Sequence, residues 1–316
     1  MKSKKKLYLL SIILLVLVIL FLGLGLSSNS WRYALSRRIP KTIAIILTGS
    51  AIAFSSMVFQ TITNNRILTP SVLGLDSLYS FIQTFIVFAF GSSSIARIDG
   101  NFNFVLSIMC MAAFSIVLFK LLFRKEENNV FLLLLLGMVF GTLFQSLSSF
   151  MQVLIDPNEF LIVQNKMFAS FNNVKTDLIW LAGIGIVLCT IYSYKYFRSL
   201  DVLSLGRENA INLGVNYDKV VKNMLIIISV LVSISTALVG PITFLGLLVV
   251  NITREFLGTY KHKYLIIGSM LLSSMTLVGG QLIAERIMKF STPISVIINF
   301  VGGIYFICLL LKEDKI

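Results

Sequence analysis

Residues 200–222 read LDVLSLGRENAINLGVNYDKVVK, and apolar runs of membrane length lie on both sides. Charge returns in this stretch at Asp201, Arg207, Glu208, Asp218, Lys219 and Lys222, yet apolar residues persist at Val202, Leu203, Leu205, Ala210, Ile211 and Leu213. A plain solvated linker has no need to keep those apolar positions. A short amphipathic helix at a membrane surface, or pressed against a soluble partner, does. Both readings, a solvated loop and a contact segment worked by a soluble motor, stand at this point.

Outward from that stretch the chain is strongly apolar. Of its 316 residues 57% are hydrophobic and 13% charged, below the charge that a soluble domain carries. Mean hydropathy is +0.90. Runs long enough to cross a bilayer recur, so the expected fold is an all-α integral membrane bundle of about ten helices. The expected spans are 7–26, 42–61, 72–90, 104–123, 130–155, 178–197, 223–239, 243–257, 264–284 and 294–311. The run after the four N-terminal lysines is too long for a secretory signal and lacks a small-residue cleavage site, so it reads as span one. The whole of 1–316 reads as one transmembrane domain, with 200–220 as its cytoplasmic contact segment.

The net charge of +13 is not a nucleic-acid signature here. With the N-terminus inside, the inner segments hold twice as many of the 27 Lys and Arg residues as the outer ones, as the positive-inside rule requires. An even number of spans then puts both termini, and 200–222, in the cytoplasm. Two outer clusters break the rule: Arg32, Arg37, Arg38 and Lys41, and then Arg286 and Lys289. Outer cations either anchor to lipid phosphates or meet a carboxylate-bearing partner; two clusters together favour the partner. Cys110, Cys189 and Cys308 lie inside apolar runs and read as packing residues. With a single His, a metal site is not expected, and no Gly-x-x-x-x-Gly-Lys-Ser/Thr phosphate loop is present. No catalytic residue and no cofactor are expected. The absence of an intramembrane acidic or basic relay argues against a secondary transporter driven by an ion gradient.

Motifs along the chain resemble those of the FecCD-type permease subunits of bacterial ABC importers for ferric siderophores, haem and cobalamin. Gly240, Ile242, Phe244, Gly246 and Leu247 meet the pattern Gly-x-Ile-x-Phe-x-Gly-Leu. Arg254 stands at a family Arg, and His262-Lys263 at a His-Arg pair. Leu205, Gly206, Ala210, Leu213 and Gly214 match the loop pattern, and RRIPK at 37–41 matches Arg-Leu-Pro-Arg. Gly49, Ala51, Ala53, Gln60, Pro70, Leu73, Gly74, Pro293, Gly302 and Phe306 keep family spacing. Departures are Val250-Asn251 for Pro-His, Asn64–Leu68 for Arg-Asn-Pro-Leu-Ala, and Ser291-Thr292 where a Glu precedes the Pro.

The resemblance implies a cobalamin-permease-like bundle in the bacterial cytoplasmic membrane that moves an iron(III)–siderophore, with haem or cobalamin as the alternative cargo. It implies a cytoplasmic ATPase dimer engaged through Leu205, Gly206, Arg207, Glu208, Ala210, Leu213 and Gly214. It implies a substrate-binding protein docking outside on Arg37, Arg38, Lys41 and Arg286, and a second permease copy or sister chain. The pathway between the two copies is then lined from spans five and ten, with Gln145, Ser149, Gln152 and Asn299 as candidates. The other reading of these polar residues is helix–helix hydrogen bonding.

Overall fold

The computed structural model describes residues 2–24, 31–91, 100–122, 130–172, 174–289 and 292–313. Among them no strand occurs. The helices are α1 (Lys2–Gly23), α2 (Trp31–Ile62), α3 (Leu75–Phe90), α4 (Gly100–Leu122), α5 (Val130–Leu154), α6 (Pro157–Met167), α7 (Thr176–Tyr194), α8 (Phe197–Leu203), α9 (Arg207–Asn212), α10 (Tyr217–Val239), α11 (Leu245–Leu257), α12 (His262–Arg286) and α13 (Ile294–Glu313). Eight of these are long and apolar enough to cross a membrane. Expected spans three and eight correspond to the shorter α3, of 16 residues, and α11, of 13. The expected loop at 92–103 and the charged turn at 124–127 fall largely outside the described residues.

α2 is the axis of the bundle. It packs against α10, α11 and α12 at once. Its small residues Ala44, Gly49, Ala51, Ala53, Ser55 and Ser56 make this possible, because lipid supplies no hydrophobic drive between helices and close backbone approach must supply the attraction. α1 lies outside this core along α12, while α3, α4 and α5 form a second group that meets the core through α10.

Three boundaries differ from the hydropathy reading. α2 begins at Trp31, so WRYALSRRIPK is helical and carries Pro40 within the helix. Residues 157–167, expected as loop, form α6. Asp156 caps it by accepting the Asn158 N–H, and Pro157 opens its first turn. α10 begins six residues before the expected span, where Asn216 accepts the Lys219 N–H.

The junction of α5 with the 3-10 turn Pro70–Leu73 depends on bare glycine. A Cβ on Gly137 would sit 2.6 Å from the Val72 carbonyl oxygen and 2.8 Å from the Leu73 Cα. Both are backbone atoms and cannot swing away. Gly137→Ala is therefore expected to destabilise the protein by about 1–3 kcal/mol. Gly279→Ala, whose Cβ meets nothing within 4 Å, is expected to be neutral. Thermal unfolding of the two purified variants in one detergent checks the contrast.

Candidate coupling and transport surfaces

The two ends of the bundle are chemically distinct. One gathers the start of α1, the end of α2, the α7–α10 connection, the end of α11 and the start of α12. Lys6 at the start of α1 donates to the Phe256 carbonyl there. The other end gathers the close of α1, the start of α2 and the close of α12.

At the first end, α8 and α9 form two short steps joined by Gly206. Gly206 has φ 95° and ψ 164°, a conformation essentially restricted to glycine. Gly214 follows α9 with φ 80°. There the Val215 N–H reaches back to the Ala210 carbonyl and the Gly214 N–H to that of Ile211, a Schellman closure. Ala210 is fully buried, whereas Leu205, Ile211 and Leu213 are more than half exposed. Arg207 and Glu208 are exposed on the first turn of α9. The segment thus presents apolar side chains flanked by charge at an end of the bundle, the arrangement of a docking knob.

A chain of polar contacts runs inward from this knob. The Asp201 carboxylate on α8 accepts the His262 backbone N–H at 2.6 Å and lies 2.8 Å from His262 Nδ1. His262 Nε2 lies 2.8 Å from the Thr61 hydroxyl on α2, and Arg254 on α11 donates to the same hydroxyl at 3.3 Å. The Thr61 hydroxyl also lies 2.9 Å from the Met57 carbonyl of its own helix, so its one proton is shared between that carbonyl and the imidazole, while Arg254 donates to its oxygen. Four helices, α8, α2, α11 and α12, are joined through one buried imidazole. Burial raises the Asp201 pKa, but the His262 hydrogen bonds outweigh it and hold the carboxyl below the ordinary range. The carboxylate is therefore fully charged at neutral pH, and its contribution fades only as pH falls through that lowered value.

Beside this chain an open pocket of about 920 Å³ lies between α2, α11 and α13, lined in part by Gln60, Arg66, Asn251, Arg254, Glu255 and Tyr305. Asn251, at a position where the resemblance departs from its family, donates to the Arg66 carbonyl. That bond ties α11 to the turn after α2. The polar chain and this pocket were not identified as a unit from sequence. The one sequence signal is the single His of the chain, at 262; Asp201 and Thr61 lie 61 and 201 residues away, and only the fold shows that they meet.

At the other end, Lys41 pairs with Glu285, which also accepts from Gln281. Arg38 donates to the Leu22 and Leu24 carbonyls at 2.9 and 2.8 Å, and Arg286 also donates to that of Leu24. The two guanidiniums cap the close of α1, where carbonyls lack intrahelical partners. Arg37 is exposed, its guanidinium 5.4 Å from the Tyr33 ring centre. The structure therefore brings Arg38, Lys41 and Arg286 together around α1 and α12 and leaves Arg37 pointing to the surface.

Of the pathway candidates, Gln145 and Ser149 are exposed on α5. Gln152, one turn on, donates to Thr84 and Ser148 at 3.3 and 3.2 Å within the α3–α5 seam. Asn299 on α13 accepts the Phe244 N–H at 3.5 Å. Neighbouring Gln83 accepts from Lys166 of α6 at 2.9 Å, and burial pushes that ammonium down to about 8. Among the described residues no group of His, Cys, Asp and Glu is placed to hold a metal ion.

A bundle with eight helices long and apolar enough to cross a membrane, a knob at one end, a cationic platform at the other and polar side chains exposed on a lipid-length helix has the build of a membrane transport protein. The FecCD transport family matches residues 9–312, and the chain belongs to that family. It is 64% identical over 286 residues to the petrobactin import system permease protein YclO of Bacillus subtilis, covering 90% of this chain and 91% of that one. It is 34% identical to the petrobactin import system permease protein FatC of Bacillus anthracis, covering 90% and 81%. A solved metal-chelate type ABC transporter in an inward-facing conformation shares the fold, with a TM-score of 0.85 at 22% identity over 98% of this chain and 99% of that one.

Proposed function

We propose that the chain is the membrane subunit of a bacterial ABC importer that carries an iron(III)–siderophore, petrobactin first among candidates, across the cytoplasmic membrane. The observation that carries this reading is the 64% identity, over nine tenths of the chain, with a petrobactin import permease. The end bearing α9 faces the cytoplasm together with both termini, as the Lys and Arg bias supports. There an ATPase dimer grips Leu205, Leu213 and the turn at Arg207 and Glu208, while Gly206, Ala210 and Gly214 fix the shape that it grips. Closure of the ATPase on nucleotide moves α9, and the bundle follows. At the outer end Arg37 makes the first contact with carboxylates of a substrate-binding protein. Arg38, Lys41 and Arg286 build the platform beneath it. A second copy or a sister chain faces α5 and α13, so that Gln145, Ser149, Gln152 and Asn299 border the path between them.

The test is uptake of radiolabelled iron–petrobactin by cells lacking their own permease. Expression of this chain with its ATPase and binding protein is expected to restore uptake. Arg37→Glu is expected to raise the binding-protein concentration needed for half-maximal transport in vesicles by about tenfold, one reversed charge contact. Uptake of haem or cobalamin with no uptake of the iron chelate, or accumulation without any ATPase, overturns the reading.

A further inference from the structure

Where α7 ends and α10 begins, the fold leaves a cleft of about 780 Å³ that no role above uses. Its lining includes Tyr192, Lys195, Tyr196, Ser199, Asn216 and Lys219, and no carboxylate. The Lys195 ammonium sits 3.7 Å from the Tyr192 ring centre and 4.9 Å from that of Tyr196. The Tyr196 hydroxyl accepts from Asn223 at 2.7 Å, and both it and the Lys195 ammonium hydrogen-bond to Tyr192. The Asn216 side-chain oxygen is spent on the Lys219 N–H, which leaves its amide NH2 as a donor. The cleft thus gathers two cations and the Asn216 amide around a tyrosine pair, with no carboxylate to balance the charge. Up α7 from it, Ile184, Leu188 and Ile191 are each more than half exposed at helical spacing. Along α7 the apolar stripe gives way to Tyr192, Lys195 and Tyr196, with Lys219 of α10 across the cleft, the order of acyl chain, interface and headgroup in a bilayer leaflet.

We propose that this cleft seats the phosphate of an anionic phospholipid, with its acyl chains along the Ile184–Leu188–Ile191 stripe. The lipid bridges the two roots of the α8–α9 knob, since Lys195 and Tyr196 precede the knob and Asn216 and Lys219 follow it. Occupancy steadies the knob whatever the cargo, so the inference stands apart from the choice of siderophore.

The test uses the purified permease–ATPase complex in a neutral detergent, titrated with phosphatidylglycerol and followed by native mass spectrometry. Phosphatidylglycerol is expected to bind at least about tenfold more tightly than phosphatidylcholine, and Lys195→Gln/Lys219→Gln is expected to erase that preference. Lys195→Arg, which keeps charge and ring contact, is expected to retain it, and Lys261→Gln, elsewhere at the same end, to leave it intact. If the double variant fails to assemble, the single Lys195→Gln decides, with a several-fold loss expected. Equal binding of the two lipids, or a preference unchanged in the lysine variants, overturns the proposal. So does displacement of the lipid by millimolar inorganic phosphate, which would mark a site for the free anion.

Discussion

His262→Leu is expected to leave the chain in the membrane but to uncouple it, with iron-chelate uptake falling at least tenfold while the ATPase still turns over. The physical reason is the position of the imidazole. It is fully buried and, among the described residues, its ring is the polar link between the Asp201 carboxylate of α8 and the Thr61–Arg254 pair of α2 and α11. Removing it leaves the Asp201 carboxylate with only the residue-262 backbone N–H and leaves the Thr61 hydroxyl with only the Met57 carbonyl and Arg254, which costs about 1–3 kcal/mol. That loss falls on the connection between knob and core rather than on the core itself, whose apolar packing around α2 is untouched. Asp201→Asn keeps the size and one hydrogen-bond acceptor and is expected to give a milder defect. The check is paired: uptake and nucleotide hydrolysis measured on the same vesicles. Uptake at the wild-type level with His262→Leu would mean that the knob moves the bundle by another route.

Gly206→Val carries the second large effect. The obstacle is conformational and not spatial, because a Cβ there meets nothing within 4 Å. With φ 95° and ψ 164°, a side chain at this position costs about 1–3 kcal/mol of strain, more for a branched one. The chain escapes by turning α8 and α9 relative to one another, which moves Leu205 and Leu213 off the surface proposed for ATPase contact. Transport is expected to fall at least tenfold with normal amounts of protein in the membrane. Gly214→Asn supplies the contrast. At φ 80° and in an exposed turn, asparagine tolerates the left-handed region, and transport close to wild type is expected.

Of these two positions the role of Gly206 is legible in the sequence and that of His262 is not. Hydropathy located the long helices because twenty apolar residues in a row have few other fates. The residues that flank the knob were legible too, since Gly206 and Gly214 bracket a run with both charge and apolar character. The capping of α6 was written in Asp156-Pro157, but the apolar signal there is thin and the stretch reads as loop. The helical start of α2 was hidden for a different reason. Its arginines look solvated in one dimension, and only the third dimension brings the close of α1 to Arg38 and Arg286. The polar chain through His262 joins positions 61, 201, 254 and 262, and no local pattern announces a contact across that separation. Gln152 and Asn299 could be singled out as polar residues in apolar spans, but their present hydrogen bonds, to Thr84 and Ser148 and to the Phe244 N–H, depend on which helix lies next door.

α1 is clasped at both extremities, by Arg38 and Arg286 at its close and through Lys6 to Phe256 at its start. Arg38 belongs to α2, Arg286 to α12 and Phe256 to α11, so α1 must travel as cargo on that three-helix unit. A fluorescent protein fused ahead of Met1 would follow that unit and stay blind to any swing of α9, whereas a dye near Leu213 would see the swing alone. Two such labels on one molecule form a ruler whose length changes only when knob and wall part company.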